Sequence, residues 1–519
     1  MKAKNYLIRN KNIFFVFCVG LSFFWIGCSA MQKRQLAESV DAEQAQNSQT
    51  HEAIVQNKNL SEWFQFLRLE EQEIKNSNFN KQTCQNVLRS VLNQISDFNF
   101  NQYSVDDLKQ NSQKGIEMTW SLRFALHSQL SEMNRSCRLL ARDIFHELHD
   151  HADYYGEFAY PQIRPEKPEK KDFQNEPVPI LNREAYAPYS VSPEVSSFEF
   201  KAGDLILARG TSFLSAIITQ LTDNRSHFSH AVVVVEKKNN NKLEIGTVES
   251  YTTTNVDFFE LTKALKNENA RLLVLRPKNH MVAKNAAQFA LQFANEKRKY
   301  DFDFNFDDYS KLSCVEVAKA AYDLGSDGAM QVPEHPAQLD LNNVSFLQRM
   351  NFKNGPMITP GDLEFDSHFE MILDWRDYRL TRNSRYKDIV MSEIVYLMNA
   401  EKYIFISSGV SKIASTVVLP SRTTIWWPIV SLITGVKDIN PLTPASTVDT
   451  MAVMDQVATM MLNDLQKVDE RYQQRFQRPM TNAQLRTAMK IIEKRDKSFY
   501  EQGKNSFHQF FRIEGSATN

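Results

Sequence analysis

The 519-residue sequence carries no excess of charge of either sign, since 61 lysines and arginines balance 62 aspartates and glutamates. A formal net charge of −1 leaves no basic footprint for DNA or RNA, so nucleic acid is not an expected partner. Phosphate-cradling glycine loops, internal repeats and CxxC pairs are absent, and the 11 histidines are scattered. These absences argue against a nucleotide-binding loop or a metal-ligand motif, and we expect no metal and no other cofactor.

The N-terminal segment has the pattern of a targeting signal, with basic residues at Lys2, Lys4, Arg9 and Lys11. An apolar stretch over residues 13–27 ends in Ile26-Gly27-Cys28-Ser29, which resembles a bacterial lipobox. The resemblance implies that residues 1–27 form a lipoprotein signal peptide and that Cys28 carries a membrane lipid anchor. Ser29 resembles the sorting signal for the outer membrane, so we expect a protein that faces the periplasm. The alternative is an uncleaved anchor, since the apolar stretch approaches the ~20 residues of a spanning helix.

Cysteine is scarce, with five in the whole chain. Cys18 lies within the signal and Cys28 is the expected lipidation site, which leaves Cys84, Cys137 and Cys314. Cys84 and Cys137 lie in one helical region of an oxidising compartment, and we expect them to form a disulfide. Cys314 then remains as the free thiol.

Apolar spacing and proline content divide the mature chain, which exceeds what one hydrophobic core usually organises. Apolar residues at intervals of three and four predict a helical N-terminal domain over residues 28–160. A run of prolines predicts a linker over residues 161–197. Strand-like runs flanked by helical patterns predict an α+β domain over residues 198–345, followed by a mainly helical region over residues 346–519. There, charge and proline interrupt the apolar tract at residues 403–435, which favours a buried hairpin over an interfacial helix.

The local sequence around Cys314 predicts an activated thiol. Ser313 and Glu316 have the spacing of a capping box, which places Cys314 at the first position of a helix. Free backbone amides and the positive end of the helix dipole favour a thiolate there. The plainer alternatives are that Cys314 is a small buried hydrophobe and that Glu316 only caps the helix.

A histidine and a carboxylate flank a predicted hairpin turn formed by three asparagines at positions 239–241. Antiparallel pairing about this turn places His230 and Glu249 almost opposite one another, where the carboxylate can orient the imidazole. Either residue alone is more often structural, but with Cys314 the combination favours catalysis. His227 alternates to the other face of the strand, and we expect it on the surface.

Five motifs of the predicted α+β domain resemble, in order, those of YiiX-like permuted papain-fold cysteine hydrolases. These are a circularly permuted branch of the NlpC-like amidases, related to lecithin retinol acyltransferase. The motifs are Gly203-Asp204-Leu205-Ile206, Phe228-Ser229-His230-Ala231-Val232, Val248-Glu249-Ser250, Tyr300-Asp301-Phe302 and Ser313-Cys314-Val315-Glu316.

The resemblance implies a papain-like domain with an antiparallel sheet at residues 198–345, flanked by the helical regions. It makes Cys314 the nucleophile, His230 the general base and acid, and Glu249 the residue that orients His230. Ser229, Tyr300 and Ser313 are the expected substrate-pocket residues. The segment at residues 360–376 looks like one that follows the catalytic core in longer family members.

The expected function is a membrane-tethered thiol hydrolase that cleaves an amide or ester through an acyl-enzyme. Its location makes peptidoglycan stem peptides the expected substrate, a step that rests on analogy. One alternative is a lipid acyltransferase or thioesterase of the lecithin retinol acyltransferase type, with the tract at residues 403–435 as an acyl-chain site. The other is a non-catalytic lipoprotein that binds a peptide or a partner.

Overall fold

The computed structural model describes residues 59–76, 81–159, 189–190, 199–222, 226–239, 242–251, 254–265, 269–302, 304–330, 357–406 and 445–513. The predicted signal peptide and the lipidation site Cys28 lie outside these residues, as does most of the predicted linker. The residues from Asn59 to Asn519 group into one compact unit.

Four helices begin the described chain: α1 (Leu60–Asn76), α2 (Lys81–Ser96), α3 (Val105–Ser128) and α4 (Arg135–Ala159). Helix α1 buries Leu60, Phe64 and Leu67, the three- and four-residue spacing of an amphipathic helix. A disulfide joins Cys84 of α2 to Cys137 of α4, and Cys314 is a free cysteine. This cross-link closes a loop with a sequence separation of 53 residues between two packed helices.

A seven-stranded sheet follows, in the order β1-β7-β6-β2-β3-β4-β5, and every pair of neighbouring strands is antiparallel. Its strands are β1 (Tyr189–Ser190), β2 (Leu205–Gly210), β3 (His230–Asn239), β4 (Lys242–Tyr251), β5 (Asn255–Glu260), β6 (Asn269–Pro277) and β7 (Phe369–Arg376). The predicted linker therefore contributes a short strand, and the region beyond residue 345 contributes β7. Helices and an antiparallel sheet together confirm the α+β class.

Among these strands, the described residues form four helices: α5 (Phe213–Ile218), α6 (Leu261–Leu265), α7 (His280–Asn295) and α8 (Cys314–Gly325). Helices α7 and α8 pack on each other and on β3. Small residues permit this close approach, because a Cβ at Gly325 would lie 2.7 Å from the backbone nitrogen of Ala286. This contact packs the C-terminal end of α8 against α7, and α8 also contacts β3 and β4.

The C-terminal part adds α9 (Tyr378–Ala400), α10 (Ala445–Phe476) and α11 (Asn482–Glu501). Strands β8 (Tyr403–Phe405) and β9 (Phe511–Ile513) form a separate antiparallel pair. Strand β8 is the start of the apolar tract predicted at residues 403–435, and Tyr403 and Phe405 are buried there. Residues 407–435 of the tract lie outside the described residues. None of the helices in the described part of the chain is long and apolar enough to span a bilayer.

A buried ion network connects α3 and α4 to the sheet. Asp153 of α4 is fully buried and accepts hydrogen bonds from Arg271 of β6 and from Arg376 of β7, the latter at 2.5 Å. Arg123 of α3 donates to Asp374 of β7 at 2.5 Å. It also donates to Glu364 at 2.8 Å, in a 3₁₀ helix at Pro360–Phe365. The segment at residues 360–376 thus supplies half of the network.

His227 belongs to this network, so its expected place on the surface is wrong. Its ring stacks on that of His149, with centroids 4.3 Å apart, and Arg271 donates to its Nδ1 at 3.2 Å. Burial, followed by the charge of Arg271, lowers the pKa of His227 well below its usual value. Strand alternation along β3 does not reveal partners that lie more than 40 residues away in the sequence.

We expect the Asp153→Asn substitution to lower the free energy of unfolding by about 3–5 kcal/mol, because it leaves two buried arginines short of a counter-charge. Urea denaturation measures the change. Glu71→Gln is the control, since it removes the more exposed Glu71–Lys75 ion pair and should cost about 1 kcal/mol or less. Equal, small effects of the two substitutions would contradict a structural role for the network.

Candidate active site

Cys314 is the first residue of α8, as the capping pattern predicted. Glu316 accepts a hydrogen bond from the backbone N–H of Ser313 at 2.7 Å, which closes the first turn. Ser250 of β4 donates to the carbonyl of Leu312 at 2.6 Å. The backbone just before the half-buried Cys314 is therefore held by the first turn of α8 and by β4.

His230 and Glu249 come together across the hairpin of β3 and β4, although their register differs from the prediction. Val233 pairs with Val248 and Asn239 with Lys242, so the same register sets Tyr251, two residues beyond Glu249, across from His230. A shift of two residues keeps every side chain on its face of the sheet. Nε2 of His230 donates to Oε2 of Glu249 at 2.9 Å, as a diagonal pair.

Two further residues of β4 hold the Glu249 carboxylate. Thr247 donates to Oε1 at 2.8 Å, and the phenol of Tyr251 donates to Oε2 at 2.5 Å. Burial alone would raise the pKa of Glu249, but the hydrogen bonds from His230, Tyr251 and Thr247 lower it. Thr247 and Tyr251 are not among the residues predicted from the sequence, although period-two alternation along β4 places both on the same face as Glu249.

His230 is the electrostatic centre of the site. Burial would lower the pKa of His230, but its hydrogen bonds with Cys314 and Glu249 raise it to about 10. Because Nε2 is bound to Glu249, Nδ1 is the nitrogen left for the Cys314 thiol. The three predicted catalytic residues are thus brought together, and the imidazole between them carries a positive charge at neutral pH.

Tyr300 is the predicted pocket residue that neighbours Cys314. Burial raises the pKa of its phenol well above the usual value, and the charges of Cys314, Glu316 and Asp301 add to the effect. The phenol therefore stays protonated and can donate a hydrogen bond. Burial also raises the pKa of Glu316 to about 8, with Asp301 as a further cause, so that carboxyl group is mostly neutral at pH 7.

The other two predicted pocket residues are buried. Ser229 donates its backbone N–H to Ala208 at 2.8 Å, and its hydroxyl accepts from the backbone of Gly210 at 3.3 Å, which ties β3 to β2. Ser313 is fully buried at the start of α8. A small cavity does border the site: it is lined by His230, Glu249 and Tyr251 together with mainly apolar side chains, among them Ile206, Ala208, Val232 and Leu272.

The described residues contain no cluster of three or more His, Cys, Asp or Glu side chains that could hold a metal ion. No known family model matches the chain, and no curated protein matches its sequence. A solved structure with partial likeness is that of the metalloprotein yiiX from Escherichia coli O157:H7, at 17% identity and a TM-score of 0.28. The likeness covers 34% of this chain and 97% of that chain.

We expect Glu249→Gln to lower the pKa of His230 by at least about one unit, because an adjacent carboxylate typically shifts a pKa by 1–3 units. The raised pKa stabilises the fold fully below about pH 6.5, and this contribution is lost as the pH rises toward 10. NMR titration of protein labelled with ¹³C-histidine measures the midpoint directly. Glu244→Gln, on the same strand, is the control, and an unchanged midpoint in Glu249→Gln would contradict the pairing.

Proposed function

We propose that the protein is a cysteine hydrolase that cleaves an amide or ester bond through an acyl-enzyme. The observation that carries the proposal is the hydrogen bond between His230 and the buried Glu249, beside the free thiol of Cys314 at the start of α8. A free thiol at a helix start, served by an imidazole that a carboxylate orients, is the arrangement of an activated nucleophile. A purely structural cysteine has no need of a charged imidazole beside it.

In the proposed reaction, the charged His230 already holds the proton of Cys314, and the thiolate sulfur attacks the carbonyl carbon of the substrate. The tetrahedral oxyanion accepts hydrogen bonds from the backbone amides at the start of α8 and from the Tyr300 phenol. His230 then protonates the leaving amine or alcohol, and a thioester remains on Cys314. Neutral His230 then takes a proton from water, the hydroxide attacks the thioester, and the carboxylic acid leaves as the thiolate–imidazolium pair is regenerated.

The finer assignment, a YiiX-like permuted papain fold at residues 198–345, is part of the same proposal. It is supported by the order of the five motifs, in which the histidine precedes the cysteine. The antiparallel sheet and the helix that starts at Cys314 suit this fold. We also propose that the protein is an outer membrane lipoprotein that faces the periplasm. Two observations support this location: the lipobox-like sequence at Cys28, and the Cys84–Cys137 disulfide, a bond that persists in oxidising compartments.

Peptidoglycan stem peptides are the proposed substrates, since a tether at the outer membrane would hold the site facing the cell wall. The second candidate is a lipid ester, as in a thioesterase or acyltransferase. The mainly apolar cavity beside His230 has a volume of about 20 Å³, which fits a water molecule and not an acyl chain, so the lipid ester ranks second.

We expect Cys314→Ala to abolish labelling by a thiol-reactive acyl probe without changing the thermal melt, because the half-buried side chain supplies the nucleophile and little of the core. Mass spectrometry of the wild-type protein, incubated separately with purified muropeptides and with phospholipids, identifies the acyl group trapped on Cys314. Undiminished labelling of Cys314→Ala would exclude Cys314 as the nucleophile. Wild-type protein that labels but turns over neither substrate would leave a binding lipoprotein as the better description.

A further inference from the structure

We propose that Tyr251 is a positioning residue of this site, which holds the Glu249 carboxylate in place and fixes the plane of the His230 ring. The proposal rests on the proposed function and adds a residue to it that the motifs do not contain. Tyr251 acts through Glu249 and His230, so its effect should be measured as a change in the reactivity of the Cys314 thiol.

The contacts of Tyr251 reach both partners of the ion pair. Its phenol donates to Oε2 of Glu249 at 2.5 Å, the same oxygen that accepts from His230 at 2.9 Å. Its ring stacks on the imidazole, with centroids 4.9 Å apart and planes 24° from parallel. The ring of Phe259 in β5 also packs edge-on against the Tyr251 ring, with centroids 5.6 Å apart and planes 87° from parallel. One side chain therefore restrains the carboxylate and the imidazole together.

This double contact has a chemical consequence. Donation to Oε2 stabilises the ionised form of Glu249, which in turn stabilises the imidazolium that faces the thiol. Stacking limits rotation of the imidazole about its Cβ–Cγ bond, so that Nδ1 keeps its direction toward Cys314. An aromatic residue that served only to pack the end of β4 has no need to place its hydroxyl on the catalytic carboxylate.

The test measures the rate at which iodoacetamide alkylates Cys314 at pH 6 and at pH 9.5, by mass spectrometry of the peptide that carries Cys314. We expect Tyr251→Phe to slow alkylation about tenfold at pH 6, which is the lower end of what a hydrogen bond to a charged group contributes. The difference should largely disappear at pH 9.5, because an unassisted thiol, with a pKa of about 8.5, is then ionised.

Tyr386→Phe is the matched control, because Tyr386 donates at 2.5 Å to the buried carboxylate of Asp469, between α9 and α10. We expect wild-type alkylation in this variant at both pH values. In the double variant Tyr251→Phe with Glu249→Gln, alkylation should match Glu249→Gln alone, since two residues that act through one contact are not additive.

The outcomes separate the two proposals. Wild-type rates in Tyr251→Phe at pH 6, with fast alkylation of the wild-type thiol, would overturn the role of Tyr251 and leave the proposed hydrolase intact. Equal slowing at both pH values, with a lowered melting temperature, would make Tyr251 a packing residue and also overturn the proposal. A wild-type thiol that reacts at pH 6 no faster than a free cysteine would overturn the activated nucleophile itself.

Discussion

The fold depends on charges that can be buried only together. Asp153 accepts hydrogen bonds from arginines on two neighbouring strands, and Arg123 reaches acidic groups of the segment at residues 360–376. Any one of these groups alone would cost several kcal/mol in the interior. The buried arginines and aspartate of β6 and β7 therefore have their counter-charges only when α3 and α4 pack against the sheet. Because β6 pairs with β2, and β2 with β3, the strand that begins at His230 depends on contacts made by helices more than 70 residues earlier.

The candidate site follows from two local rules applied at one place. A helix begins where Ser313 and Glu316 cap it, and this leaves Cys314 at the end of the helix that attracts negative charge. A strand alternates its faces, and this gathers Thr247, Glu249 and Tyr251 on one side of β4. The site forms where the helix start meets the strand pair, and Ser250 ties the two together by its bond to Leu312.

The sequence was most informative where structure is determined by neighbours along the chain. The start of α8 and the partnership of His230 with Glu249 were predictable from capping and alternation. The predicted hairpin register differs from the observed one by two residues: pairing His230 with Glu249 would centre the turn between positions 239 and 240, whereas Asn239 pairs with Lys242. The face was still right, since an even shift preserves it. His227 was misassigned because its partners, His149 and Arg271, come from distant elements that no local pattern connects.

The bond between Cys84 and Cys137 has a practical consequence for any preparation of this protein. In a reducing cytosol, the two sulfurs would be separate thiols in the interior of the helical bundle, where both residues are fully buried. The bundle would lose a cross-link that restricts its unfolded chain, which typically contributes a few kcal/mol. Because Arg123 and Asp153 lie in this same bundle, the helices that support the sheet would be less stable in recombinant material made without oxidative folding. Export, or refolding with a redox couple, would be the sound route to natively folded protein.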